Sequence, residues 1–176
     1  VCGSLVSKIL LQEDVLFTFH SREPFDYHNT FFYIALGMFS GLYARYFLLV
    51  SKKIEGFFHQ SKLSRLQKAI IGGTLLSILC ALLPPLFGEG YESLKSMNNG
   101  QAQTLLDHSL FRYLDLGNWT IVIFLLLVCL LKAFATATTI FRGGNGGNFA
   151  PSLFAGGTLG YLFATICQLL GFQDVP

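Results

Sequence analysis

Three stretches of this chain, Phe31 to Val50, Ala69 to Phe87 and Trp119 to Phe141, are almost wholly apolar. Each has the length of roughly 20 helical residues that a hydrocarbon core of about 30 Å requires. A fourth, Pro151 to Leu170, is equally apolar but interrupted by glycines. Such runs can be buried inside a large soluble core or in lipid. The supply of charge decides between the two. Charged side chains make up 12% of the 176 residues, against about 25% in soluble domains, and the mean hydropathy is +0.54. A soluble protein of this size still needs a polar skin. The expected fold is therefore an all-α integral membrane protein, with the whole of 1–176 forming part of one transmembrane domain. Val1 to Leu11 is apolar but too short to span alone, and is expected to be the tail of a preceding helix in a longer protein.

The connections carry an orientation signal. Ser51 to Lys68 holds Lys52, Lys53, Lys62, Arg65 and Lys68 against Glu55 alone. Basic connections stay in the cytoplasm, so segment 51–68 is expected there. The flanking connections contain Glu13, Asp14, Glu23 and Asp26 on one side, and Glu89, Glu92, Asp107 and Asp115 on the other. Arg45 lies near the basic end of its span and reads as a snorkelling side chain. Trp119 reads as an interfacial anchor. Pro84-Pro85 should end the second span, because proline removes a donor and clashes with the preceding turn. The stretch Gly88 to Asn118 is too long for a bare loop and is expected to contain a short helix.

Several chemistries find no support. Cys2, Cys80, Cys129 and Cys167 lie in or beside apolar stretches without paired spacing, as buried free thiols do. His20, His28, His59 and His108 have no ligand spacing, so no metal is expected, and no cofactor motif is present. No nucleophile–base pair points to an enzyme, and no basic stripe with interleaved aromatics points to nucleic acid.

The informative segment begins at Lys132 and runs through Thr136, Thr139, Arg142, Gly143, Gly144, Gly146 and Gly147 to Asn148-Phe149-Ala150-Pro151. An apolar helix enters four glycines within five residues, and another helix follows with proline near its first turn. One reading is a plain flexible loop between two spans. The other is a helix broken within the membrane, which must line a cavity or bind something to satisfy its backbone. A helix start offers free N–H groups and the positive end of a dipole, a ready anion site. Broken helices aimed at a midplane ion recur in transporters. Lys132 inside a span is costly. It is either an electrostatic attractor of anions or a structural ion pair or snorkelling side chain. Gly156-x-x-x-Gly160 reads as core packing.

Gly146-Gly147-Asn148-Phe149-Ala150-Pro151, with the helix before it, closely resembles the G-G-x-F-x-P signature of the chloride channel/transporter (CLC) family. Lys132, Thr136, Thr139, Gly143, Leu153, Gly156 and Gly160 extend the match, and Leu83-Pro84-Pro85-Leu86-Phe87-Gly88-Glu89-Gly90-Tyr91 resembles a second family segment. The resemblance implies a helical transporter fragment covering the end of a first inverted repeat and the first half of a second. It implies that the backbone amides of Asn148 and Phe149 contact a permeating chloride, shaped by Gly143, Gly146, Gly147 and Pro151. Asn148 departs from the aliphatic residue, and Arg142 from the small hydroxyl residue, common in the family. The family's serine loop, gating glutamate and distal tyrosine have no counterpart in this chain. The resemblance further implies a homodimer of the full-length protein in a plasma or inner membrane. It leaves channel, proton-coupled antiporter, a relative selective for another anion and a non-transporting scaffold open.

Overall fold

The computed structural model describes residues 27–107, 109, 111, 117, 119–142, 144 and 146–172. The helix expected at 1–11, and Glu13, Asp14, Glu23, Asp26, Asp115, Cys2, His20, His108 and Gly143, lie outside them. The described residues are helical with no strand. Helix α1 spans Thr30–Gln60, α2 Arg65–Leu82, α3 Tyr91–Asn98, α4 Thr104–Asp107, α5 Trp119–Phe141 and α6 Phe149–Leu169. Four of these, α1, α2, α5 and α6, are long and apolar enough to cross a membrane.

The helix ends follow from local chemistry. Ser64 opens α2 with a capping box: its hydroxyl accepts from the Gln67 N–H at 3.3 Å, and the Gln67 side chain accepts from the Ser64 N–H at 3.0 Å. At the other end Leu83 leaves the helical region (φ −134°, ψ 86°) ahead of Pro84, as a residue before proline must. Pro84–Leu86 form a single 3₁₀ turn. In the basic segment, no glycine turn or proline interrupts α1, so its helix continues through Lys52 and Lys53 to Gln60. Only residues 61–64 are non-helical there.

Helix α5 is apolar all round and the most buried, as the centre of a bundle should be. Phe124, Leu125, Val128 and Phe154 are completely enclosed with Leu83, Leu86, Met97 and Leu162. Helix α1 packs along α5, where the hydroxyls of Tyr43 and Tyr46 donate to the carbonyl oxygens of Cys129 (2.8 Å) and Leu130 (3.0 Å). Phe58 of α1, Lys68 of α2 and Arg142 after α5 meet at one end of the bundle. At the other, Phe172 after α6 meets Phe32 of α1, with ring centroids 5.5 Å apart. The four long helices thus alternate in direction. Most large apolar residues of α1 and the outer face of α2 remain uncovered, which suits lipid or further protein as solvent and not water.

The glycines pack differently from the motif-based expectation. Gly156 and Gly160 face open space, whereas a Cβ on the neighbouring Gly157 would press a Leu94 methyl of α3 at 2.7 Å. The small-residue contact in this helix is therefore shifted by one position, because α3 approaches α6 from the Gly157 side. Cys80, Cys129 and Cys167 are free thiols, the latter two buried.

Candidate functional site: a cavity at the helix break

Helix α5 ends at Phe141, and the chain turns at Arg142, which is fixed at the end of the bundle by a hydrogen bond from Nη1 to the Lys68 carbonyl (2.9 Å). Helix α6 starts about one turn short of that level, since Phe154 lies beside the Lys132 ammonium and Phe149 is five residues nearer the α5 end. Its first residues, Phe149, Ala150 and Pro151, share a cavity with Lys132, Thr136 and Thr139 of α5. Gly144 closes the end of α5, its N–H bonded to the Thr139 carbonyl at 3.0 Å. A Cβ there would meet that same oxygen at 2.7 Å.

Asn148 precedes α6 without a side-chain cap. The first amide bonded inside the helix is that of Ser152, which donates to the Asn148 carbonyl at 3.0 Å. The N–H groups of Phe149 and Ala150 lie ahead of that bond, and Pro151 has none to offer. Uncapped donors at a helix start carry the positive end of its dipole. Here they sit beside a cavity of about 760 Å³. Gly146 and Gly147 line it with no side chain of their own, and Phe149, 81% exposed, projects at its edge.

Lys132 forms the opposite wall. Its residue is 2% exposed. Its ammonium donates to the carbonyl oxygens of Leu86 (3.3 Å) and Gly88 (2.9 Å), and stands 4.5 Å from the centroid of the Phe154 ring. The amine forms no ion pair with a described carboxylate. Glu89 lines the same cavity but makes no ion pair with it. An ammonium has three donors. Two carbonyls and a ring face account for all of them, so the charge acts on the cavity through its field. Leu86 and Gly88 belong to the Pro84-Pro85 corner, whose 3₁₀ turn and left-handed Gly88 (φ +60°) aim those carbonyls at α5.

The structure thus brings Lys132, Gly146, Gly147, Phe149 and Pro151 to one cavity, while Asn148 stands just before α6. Phe154 and the Leu86 and Gly88 carbonyls are additional participants. The segment containing the two carbonyls is visible in the sequence as a motif, but a carbonyl's role has no side-chain signature. Among the described residues no cluster of metal-ligating side chains occurs.

Four helices long and apolar enough to cross a membrane, with a cavity at the start of one of them, define a class, the helical integral membrane proteins. The particular family is settled by comparison: the chain belongs to the voltage gated chloride channel family, whose model matches residues 1–176. A relative from Ralstonia nicotianae, described by name as a ClcB-like chloride channel protein, is 30% identical over 146 residues, covering 82% of this chain and 30% of that protein. An uncharacterized protein of Methanocaldococcus jannaschii is 24% identical over 166 residues, covering 94% of this chain and 38% of that protein. The chain spans about a third of the length of these relatives. No solved structure matches it.

Proposed function

We propose that this chain supplies one wall of a chloride pathway, in which the backbone amides of Asn148 and Phe149 hold the permeating anion. The observation that carries the reading is a buried ammonium, Lys132, with no ion-paired carboxylate, lining the same cavity as an uncapped helix start. A buried charge without a hydrogen-bonded ion pair is costly, Glu89 offsets it only at a distance across the same cavity, and an anion in the cavity would offset it further. Gly146 and Gly147 let the ion approach the backbone. Neutral N–H dipoles with a cation at a distance bind weakly enough for the ion to leave, as conduction requires. Family membership and the ClcB-like relative's name support chloride as the anion. The remaining walls, and with them the choice between passive flow and proton exchange, belong to the rest of the subunit, which the family resemblance pairs as a homodimer.

Phe149 is the first residue of α6, a position where proline fits the helix. Phe149→Pro removes one N–H and shifts Asn148 from its αR backbone (φ −84°, ψ −13°) toward the extended region, and Phe149→Ala removes the ring but keeps the N–H. In liposomes containing the full-length protein, Phe149→Pro should weaken chloride efflux or binding roughly ten-fold or more relative to Phe149→Ala, the scale of a hydrogen bond to a charge. Equal chloride handling by the two variants would remove that amide from the site.

A further inference from the structure

Helix α1 has two opposed faces. Tyr43, Phe47, Val50, Ile54 and Phe58 turn toward α5. On the reverse, at alternating steps of four and three residues, run Met38, Leu42, Arg45, Leu49, Lys52, Gly56 and His59, which helical geometry places in one stripe. Met38, Leu42 and Leu49 are more than half exposed, and Arg45, Lys52 and His59 are exposed as well. The stripe changes character along its length, from apolar to cationic.

We propose that this stripe seats an anionic phospholipid of the phosphatidylglycerol type, its phosphodiester at Arg45 and Lys52 and an acyl chain along Leu42 and Met38. Depth supports the assignment. Thr30 to Ser51 is about 33 Å of helix, close to the hydrocarbon thickness of about 30 Å, so Lys52 falls at the interface. Arg45 lies about 10 Å deeper, two turns down the same face. A guanidinium at that depth needs a partner or a route to the surface. Neither Arg45 nor Lys52 has a hydrogen bond or ion pair with a described residue. Three described cations are committed, Arg142 to the Lys68 carbonyl and the Phe58 ring, Lys68 to the Phe58 carbonyl and Lys132 to the Pro84-Pro85 corner, while Arg45 and Lys52 are free to meet a phosphate on one face of α1.

The planar fork of arginine matches phosphate oxygens two at a time. Beside Lys52, Gly56 leaves a shallow surface dip bordered by Glu55, His59 and Gln60. Those groups suit a headgroup with hydroxyls: Glu55 accepts from a glycerol hydroxyl, and would repel a second phosphate. A soluble anion would use only the cationic end and leave the apolar half of the stripe without a role. This inference is independent of the chloride reading.

The test uses the full-length protein, delipidated and re-equilibrated with phosphatidylglycerol or phosphatidylcholine of matched acyl chains, with bound lipid counted by native mass spectrometry. Wild type should retain phosphatidylglycerol over phosphatidylcholine on the order of ten-fold, the scale expected of two cations at an anionic surface. Arg45→Gln/Lys52→Gln should erase that preference, and Lys62→Gln/Arg65→Gln should keep it. Monodisperse behaviour and unchanged chloride efflux establish that the variants are folded. Equal retention of the two lipids by wild type, as when an acidic segment of the remaining chain covers the stripe, overturns the proposal. So does an undiminished preference in Arg45→Gln/Lys52→Gln, or displacement of the lipid by millimolar glycerol phosphate.

Discussion

The side chain of Arg142 crosses from the end of α5 onto the bare α-carbon of Gly72 in α2, and a Cβ at Gly72 would collide with it. The guanidinium then lies 3.7 Å from the centre of the Phe58 ring and donates to the Lys68 carbonyl. Gly72→Ala should lower the stability of the full-length protein by about 1–3 kcal/mol, the usual cost of overpacking. In an Arg142→Ala background the same change should cost almost nothing, because the obstructing stem is gone. A double-mutant cycle on thermal midpoints in detergent measures this coupling. Additive effects would contradict the contact.

Lys132→Met keeps much of the side chain's bulk and removes its charge. Chloride should then bind about ten-fold more weakly, and the rise in melting temperature that chloride gives the wild type through linkage should largely disappear. Calorimetric titration and a melting series in chloride against gluconate read both quantities. Retention of full chloride affinity by Lys132→Met would separate this charge from the cavity's function.

Gly90 precedes α3 in the left-handed region (φ +80°), and a Cβ there would enter the Phe154 ring. Gly88 is also left-handed (φ +60°), but faces open space. Gly90→Ala should therefore cost at least about 2 kcal/mol, combining strain and collision. Gly88→Asn should be nearly neutral, since asparagine tolerates that conformation. Comparable melting temperatures for the two variants would contradict the packing at Gly90.

Thr138, 1% exposed, has a buried hydroxyl without a hydrogen-bond partner among the described residues. Its neighbour Thr139 instead donates to the Ala135 carbonyl at 2.9 Å. Thr138→Val replaces the orphaned hydroxyl with a methyl of similar shape. It should leave stability unchanged or raise it by up to about 1 kcal/mol, whereas Thr139→Val should not raise it. A loss of more than that on Thr138→Val would reveal a partner for the hydroxyl.

Much of this architecture is legible in the amino-acid sequence, because lipid imposes a length and a composition on each span. Trp119 to Phe141 is the case where apolarity sets both ends of the helix. Pro84 likewise marks the end of α2, since its ring fixes the residue before it. The glycines from Gly143 to Gly147 and Pro151 mark a break, though their position within the bundle depends on what Phe149 and Ala150 pack beside. A count of consecutive apolar residues stops at Val50 and misses that α1 runs on to Gln60, although Val50, Ile54 and Phe58 keep the spacing of a buried helix face. Nor does it give Lys132 its partners. Both are backbone oxygens from a segment more than forty residues away, and one backbone oxygen looks like any other in a sequence. The Gly156-x-x-x-Gly160 spacing points one residue away from Gly157, where α3 makes its contact.

Fastening the Lys132 ammonium to the Leu86 and Gly88 carbonyls has a mechanical consequence. A flexible lysine can withdraw its charge by rotating, at little cost and without disturbing its neighbours. Here the charge leaves its place only by giving up both hydrogen bonds or by carrying with it the chain between α2 and α3, which lies against Phe154 at Gly90. A displacement of the proline corner would therefore carry a positive charge with it, beside the cavity at the helix break.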